Sequence, residues 1–131
     1  MANKTYDLLL ELAKDEAVTS TASTTGVNIK GLNIGSASYV AVISNSAVTG
    51  TVDGSNYYTC KLEVCDTDTT ANYVQVGNVV TFPATAGSTQ IGFTSEQIND
   101  LVSGADYFRI TTTKVGTTAT GVSVSAFLSK I

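Results

Sequence analysis

The sequence predicts an all-β chain: an antiparallel, jelly-roll-like β-sandwich with an N-terminal arm and at most one or two short helices. Three observations predict it. Thr and Ser together make up about a quarter of the 131 residues. Short runs of β-branched and aromatic residues alternate with Gly- and Asp-containing turns, the pattern of a many-stranded sandwich. Only one segment carries helix signals. With 43% hydrophobic residues the chain is not disordered. A chain of this length buries roughly two thirds of its unfolded surface, enough to hold a core without disulfides or metal.

Residues 1–25 read as an arm and residues 26–131 as a single sandwich domain. A polar stretch, Thr19–Thr25, separates them. In the arm, Tyr6, Leu8, Leu10 and Leu12 share a face if the segment is extended. Leu8, Leu9, Leu12 and Ala13 share one if it is helical. The segment packs either on its own sandwich or on a neighbouring subunit. Each buried Leu contributes about 1.5–3 kcal/mol before ordering costs.

In the body, Tyr39-Val40-Ala41-Val42-Ile43 is apolar throughout and suits a central, doubly covered strand. A weaker run holds Val48 and Val52, and Asp53-Gly54 then suits a hairpin turn. Tyr58, Cys60, Leu62 and Val64 alternate with Thr59, Lys61 and Glu63. That predicts a half-buried strand with Lys61 and Glu63 in solvent. Val74 and Val76 are expected to pair with Val79 and Val80 around a tight Gly77-Asn78 turn, the run ending at Phe82-Pro83. Ile91 and Phe93 form a short strand. Thr94-Ser95-Glu96-Gln97 fits a capping box opening a two-turn helix. Its apolar face would be Ile98, Leu101 and Val102, with Gly104 as its stop. Phe108 and Ile110 alternate with Tyr107, Arg109 and Thr111. The last strand places Val122, Val124, Ala126 and Leu128 on one face, with Ser123, Ser125 and Phe127 on the other.

Several function classes are excluded. The chain has no histidine, so it has no Ser-His-Asp triad, Cys-His pair or histidine zinc site. G-x-S-x-G, G-x-x-x-x-G-K and G-x-G-x-x-G do not occur. Net charge is −4 and the seven bases are scattered, which argues against nucleic-acid binding. No apolar stretch approaches the roughly 20 residues of a membrane helix. Asp7 and Glu11 interrupt the apolar N-terminal run, so it does not read as a secretion signal. The chain is expected to be made in a cytoplasm and to meet neither membrane nor nucleic acid.

Cys60 and Cys65 would lie about 16 Å apart on a regular strand, too far for a disulfide, and read as free thiols. Asp66-Thr67-Asp68-Thr69-Thr70 begins like a calcium loop, but Ala71 and Gly77 stand where it needs Gly and Glu. It reads as a solvated turn whose aspartates cap backbone amides. Neither catalytic residues, nor a metal site, nor a cofactor are expected. Arg109, the single arginine, is expected on a strand surface or in an intersubunit ion pair. Tyr57, Tyr73 and Tyr107 are expected outward, as cross-strand packing partners or as a sugar platform.

Two stretches resemble one family. Asp15-Glu16-Ala17-Val18-Thr19 followed by Ser20–Thr24 resembles the D-x-Q-A-V-T lead of tailed-bacteriophage head decoration, or capsid cement, proteins, with Glu16 in place of Gln. Tyr107-Phe108-Arg109-Ile110, then Gly116 and Gly121–Leu128, resembles that family's closing strands. The resemblance implies a homotrimer on the outer surface of a phage head, bridging copies of the major capsid protein. Candidate capsid or intersubunit contacts are then Tyr6, Leu8, Leu9, Leu10, Leu12, Arg109 and Phe127. Other expectations are a tail-tube subunit or head-fibre base, or a carbohydrate-binding jelly roll.

Overall fold

The computed structural model describes residues 10–130. Ten strands and one α-helix follow in order, with a 3-10 turn, Thr70–Asn72, between the sixth and seventh strands: β1 Glu11–Val18, β2 Ala22–Ser23, β3 Val27–Asn28, β4 Ser38–Asn45, β5 Thr49–Gly50, β6 Tyr57–Cys65, β7 Val74–Thr81, β8 Gly87–Thr94, α1 Ser95–Leu101, β9 Tyr107–Val115 and β10 Ala119–Lys130. They form two sheets. The first has the order β1-β10-β4-β8, with β5 also on β10. The second has the order β2-β9-β6-β7, with β3 also on β9. Every pairing is antiparallel.

Counting β2 and β3 as one interrupted strand and β5 as an addition leaves eight main strands. In chain order their sheets run 1-8-3-6 and 2-7-4-5, the two interlocked Greek keys of a jelly roll. The antiparallel sandwich that the sequence predicts is therefore the fold. From residue 10 onward, the segment set apart as an arm is built into it: β1 is an edge strand of the first sheet, and β2 lies at the edge of the second.

The inward faces follow the residue alternation. Val122, Val124, Ala126 and Leu128 of β10 meet Tyr58, Cys60, Leu62 and Val64 of β6 in one buried cluster. Phe93 and Phe108 link the two sheets at a ring separation of 6.2 Å, and Tyr39 stacks on Phe93 at 5.7 Å. Helix α1 starts as expected: the Thr94 hydroxyl accepts a 3.1 Å bond from the Gln97 amide. Ile98 is fully buried and Val102, just past the helix, packs half-buried against the core, but Leu101 is exposed.

Three local expectations are corrected. Gly77-Asn78 is not a hairpin turn. β7 runs unbroken from Val74 to Thr81 along β6, with three residues bulged out between Val76↔Leu62 and Val80↔Cys60. Gly77 has φ +70, and a Cβ there would lie 2.7 Å from Ile91 Cγ2. A bulge needs the same glycine conformation as a turn, so the dipeptide alone does not separate them. Asp53–Asn56 does close a tight turn, but β5 pairs with β10, so no hairpin flanks it. Glu63 is buried rather than solvated, for a reason given below.

The cysteines are free and fully buried. Burial pushes the Cys60 thiol up to about 11. Since the thiolate is the reactive form, a soluble thiol reagent at pH 8 should label Cys60 of the native chain on the order of 100-fold more slowly than Cys60 of the unfolded chain. Two thiols should then appear together on denaturation. Rapid labelling of either one in native buffer would contradict this burial.

Candidate functional site

A jelly roll brings alternate loops to the same end. The β3–β4 connection (29–37), the β6–β7 connection (66–73) and the α1-containing β8–β9 connection (95–106) all meet at one end of the sandwich. Backbone bonds tie them: Ser95 N to Ala37 O at 2.9 Å, Ile29 N to Asp106 O at 2.7 Å, and Asp106 N to Cys65 O at 3.1 Å. Strand β1 also begins here, since Glu11 is registered with Phe127 near the end of β10.

This end carries an unusual surface. Ile34 is 74% exposed, Leu101 41% and Val74 37%, and all three sit in or beside these connections. The fourth exposed large apolar residue among those described, Val79, lies along β7. Single exposed apolar residues need no explanation, but their collection at one end of a Ser/Thr-rich surface marks a contact region. β7 and β8 are the free outer edges of the two sheets. A cleft of about 410 Å³ between them is lined by Gly77–Thr81 and Thr89–Gly92.

Beneath the 66–73 loop lies a dense polar cluster. Glu63 and Arg109 are registered opposite one another on β6 and β9. Arg109 Nε donates to Glu63 Oε1 at 3.0 Å, and its other arm reaches Thr70 O at 3.4 Å. The Thr111 hydroxyl donates to the same Glu63 oxygen. Lys61 Nζ lies 3.5 Å from the other one. The guanidinium sits 3.9 Å over the Tyr73 ring, and the Tyr73 hydroxyl donates to Asp68 at 2.7 Å. A side chain at Gly26 would collide with Tyr73 and Asp68, so the β2–β3 segment closes against them.

Burial alone would raise the Glu63 carboxyl. The hydrogen bonds from Thr111 and Arg109 and the charges of Arg109 and Lys61 outweigh it, so the net shift is downward. Burial, with Asp68 beside it, raises the Tyr73 phenol. The cluster thus locks the loop onto the sheet as a third layer. That is why the outward face of β6 and β9 is buried at Glu63, Cys65, Arg109 and Thr111.

The predicted contacts separate accordingly. Tyr6, Leu8 and Leu9 lie outside the described residues. Leu10 is half-buried against the core, and Leu12 belongs to it. Arg109 is not a surface strand residue: it is buried, and it forms an ion pair with Glu63 of its own chain. Phe127 is half-buried on the outward face of the first sheet. Tyr73 is engaged by Arg109 and Asp68, so its ring is no open sugar platform. Tyr57 and Tyr107 are half-buried. Asp66 caps the Thr67 amide at 2.9 Å, the turn role expected of it. Ile34, Leu101 and Val74 escaped the sequence reading, since only the topology brings them together.

The sequence matches no protein-family model and no curated protein. Among solved structures, the chain is similar to the CBM22-1 xylan-binding domain from Paenibacillus barcinonensis Xyn10C. The TM-score is 0.48 and the identity 14%, over 99% of this chain and 98% of that one. A likeness of that size carries no argument about what this chain binds.

Proposed function

We propose that the chain is a non-catalytic capsid decoration protein, a trimer that seats on the outside of a phage head and ties major capsid proteins together. The observation that carries the reading is the contact end: exposed Ile34, Leu101 and Val74, in or beside connections held by backbone bonds and, for the 66–73 loop, by the Glu63–Arg109–Tyr73 lock. A rigid apolar platform on a polar sandwich suits a part that binds by fit. Two further facts support it. The stretches that resemble the decoration family are neighbours in space, with Glu16, Ala17 and Val18 registered on Val124, Ser123 and Val122. The polar side chains able to do chemistry, Glu63, Arg109, Tyr73 and Asp68, are tied to one another. Threefold repetition would multiply modest contacts into strong attachment, and a closed ring would limit growth.

The test combines native mass measurement with binding to purified heads lacking the protein. A trimer that saturates heads and appears as surface knobs at threefold positions is expected. Ile34→Lys with Leu101→Lys should keep the fold and weaken head binding by at least about tenfold, given some 1.4 kcal/mol per decade. A monomer that ignores heads, or a double variant that binds as well as the parent, overturns the reading.

A further inference from the structure

The two sheets have four outer edges, and three of them carry devices that discourage pairing with another chain. β1 holds four charged residues, Glu11, Lys14, Asp15 and Glu16, and its register with β10 slips twice. β2 and β3 are two residues each. β7 is interrupted by the bulge at Gly77. β8 has no such device. Its eight residues, Gly-Ser-Thr-Gln-Ile-Gly-Phe-Thr, include no charge and no proline. It pairs with β4 without a shift from Gly87 to Thr94.

This edge is also open. Ser88, Thr89, Gln90 and Gly92 are exposed. A Cβ at Gly92 would meet nothing within 4 Å. Among the described residues, the backbone bonds of Gly87–Thr94 run only to β4. Alternate amides and carbonyls of the strand are therefore left to solvent along its other side. A strand added there would lie over the cleft of about 410 Å³ and its exposed Val79.

We propose that β8 is an interaction edge for a second copy of this chain, the two β8 strands pairing antiparallel about a twofold axis. Neutrality favours like on like, because a charge near the axis would face its own kind across the seam. Alternation restricts the register. A slip of one residue would set inward Ile91 and Phe93 against outward Ser88 and Gln90. Thr94 is already engaged in capping α1. The register that leaves it free centres on Gln90: Gln90 faces Gln90, Ser88 faces Gly92 and Thr89 faces Ile91. A carboxamide both donates and accepts, so two Gln90 side chains satisfy one another. Seven paired residues make a seam about 23 Å long and one strand deep. That falls short of the roughly 1,200 Å² of a stable interface. The contact is therefore weak between free molecules and effective between molecules held side by side. It stands apart from head binding, which uses the contact end, so the two readings fail separately.

A thiol at the axis reads the pairing directly. Gln90→Cys is compared with Asn78→Cys, an exposed position on the β7 side of the cleft, the native cysteines being buried in both. With oxidised glutathione as oxidant, Gln90→Cys should form intermolecular disulfides at least about tenfold faster. In sedimentation, the mass of the parent at high concentration should be at least twice that in dilute solution. Gln90→Lys, which sets two ammonium groups at the axis, should hold the dilute mass throughout and bind heads as the parent does. Equal cross-linking rates overturn the proposal, and so does a mass that Gln90→Lys leaves unchanged at every concentration. Loss of head binding by Gln90→Lys also overturns it, because the edge would then seat the capsid protein rather than a second copy.

Discussion

Replacing Arg109 with Leu should cost about 3 kcal/mol and lower the melting temperature by roughly 10 °C. The substitution removes the 3.0 Å bond to Glu63, the contact with the Tyr73 ring and the bond to Thr70 O in one step. It leaves the Glu63 carboxylate under the 66–73 loop with only Thr111 and the half-open Lys61 as partners. The Lys61 side admits water, which holds the loss at the lower end of the range for a broken buried pair. Glu63→Leu combined with Arg109→Leu should recover most of it, since removing both charges leaves nothing unpaired. Differential scanning calorimetry decides the matter: a single variant melting within about 2 °C of the parent would mean that the lock carries no stability.

The same pair fixes an acid dependence. The folded Glu63 carboxyl lies below its ordinary value of 4.5. A group with a depressed folded value contributes stability above its unfolded value and loses it as pH falls through the folded one. The gap between the parent and Arg109→Leu should therefore be widest near neutrality and close below about pH 4.5. The loop that the lock holds lies at the end bearing Ile34, Leu101 and Val74, so head binding should weaken in that same acid window.

What could be read from the sequence was local. Tyr58 to Val64 and Val122 to Leu128 alternate because one side of each strand meets the opposite sheet, and a period of two records that directly. The Thr94–Gln97 cap depends on four consecutive residues. The failures were all non-local. Glu63 and Arg109 read as solvated because alternation assumes two layers, and the 66–73 loop adds a third. Val74 to Thr81 read as a hairpin because Gly77 tolerates positive φ in a bulge as readily as in a turn. The contact end needed the strand order, which rests on pairings such as β1 with β10, more than a hundred residues apart.

That β1–β10 pairing makes truncation the sharpest test of where the fold begins. A chain starting at residue 10 keeps every described core residue and should melt in one cooperative transition. A chain starting at residue 15 loses Leu10, Leu12 and Ala13, and Leu12 and Ala13 are buried in the core. Large-to-small changes at one such Leu cost about 2–5 kcal/mol. The truncation also removes the first half of β1, which is registered on Ala126 and Phe127, while Glu16–Val18 stay paired with Val122–Val124. The uncovered C-terminal end of β10 is a template for pairing with other chains. With total stability of order 5–15 kcal/mol, the loss should abolish the cooperative transition and bring aggregation. Circular dichroism melts of the two chains separate the outcomes. If the chain starting at residue 15 melts sharply within 5 °C of the longer one, β1 is an appendage. If it fails while the chain starting at residue 10 holds, then any head-binding effect of the N-terminus must be measured by removing residues 1–9 alone, because a cut further in destroys the sandwich that presents the contact end.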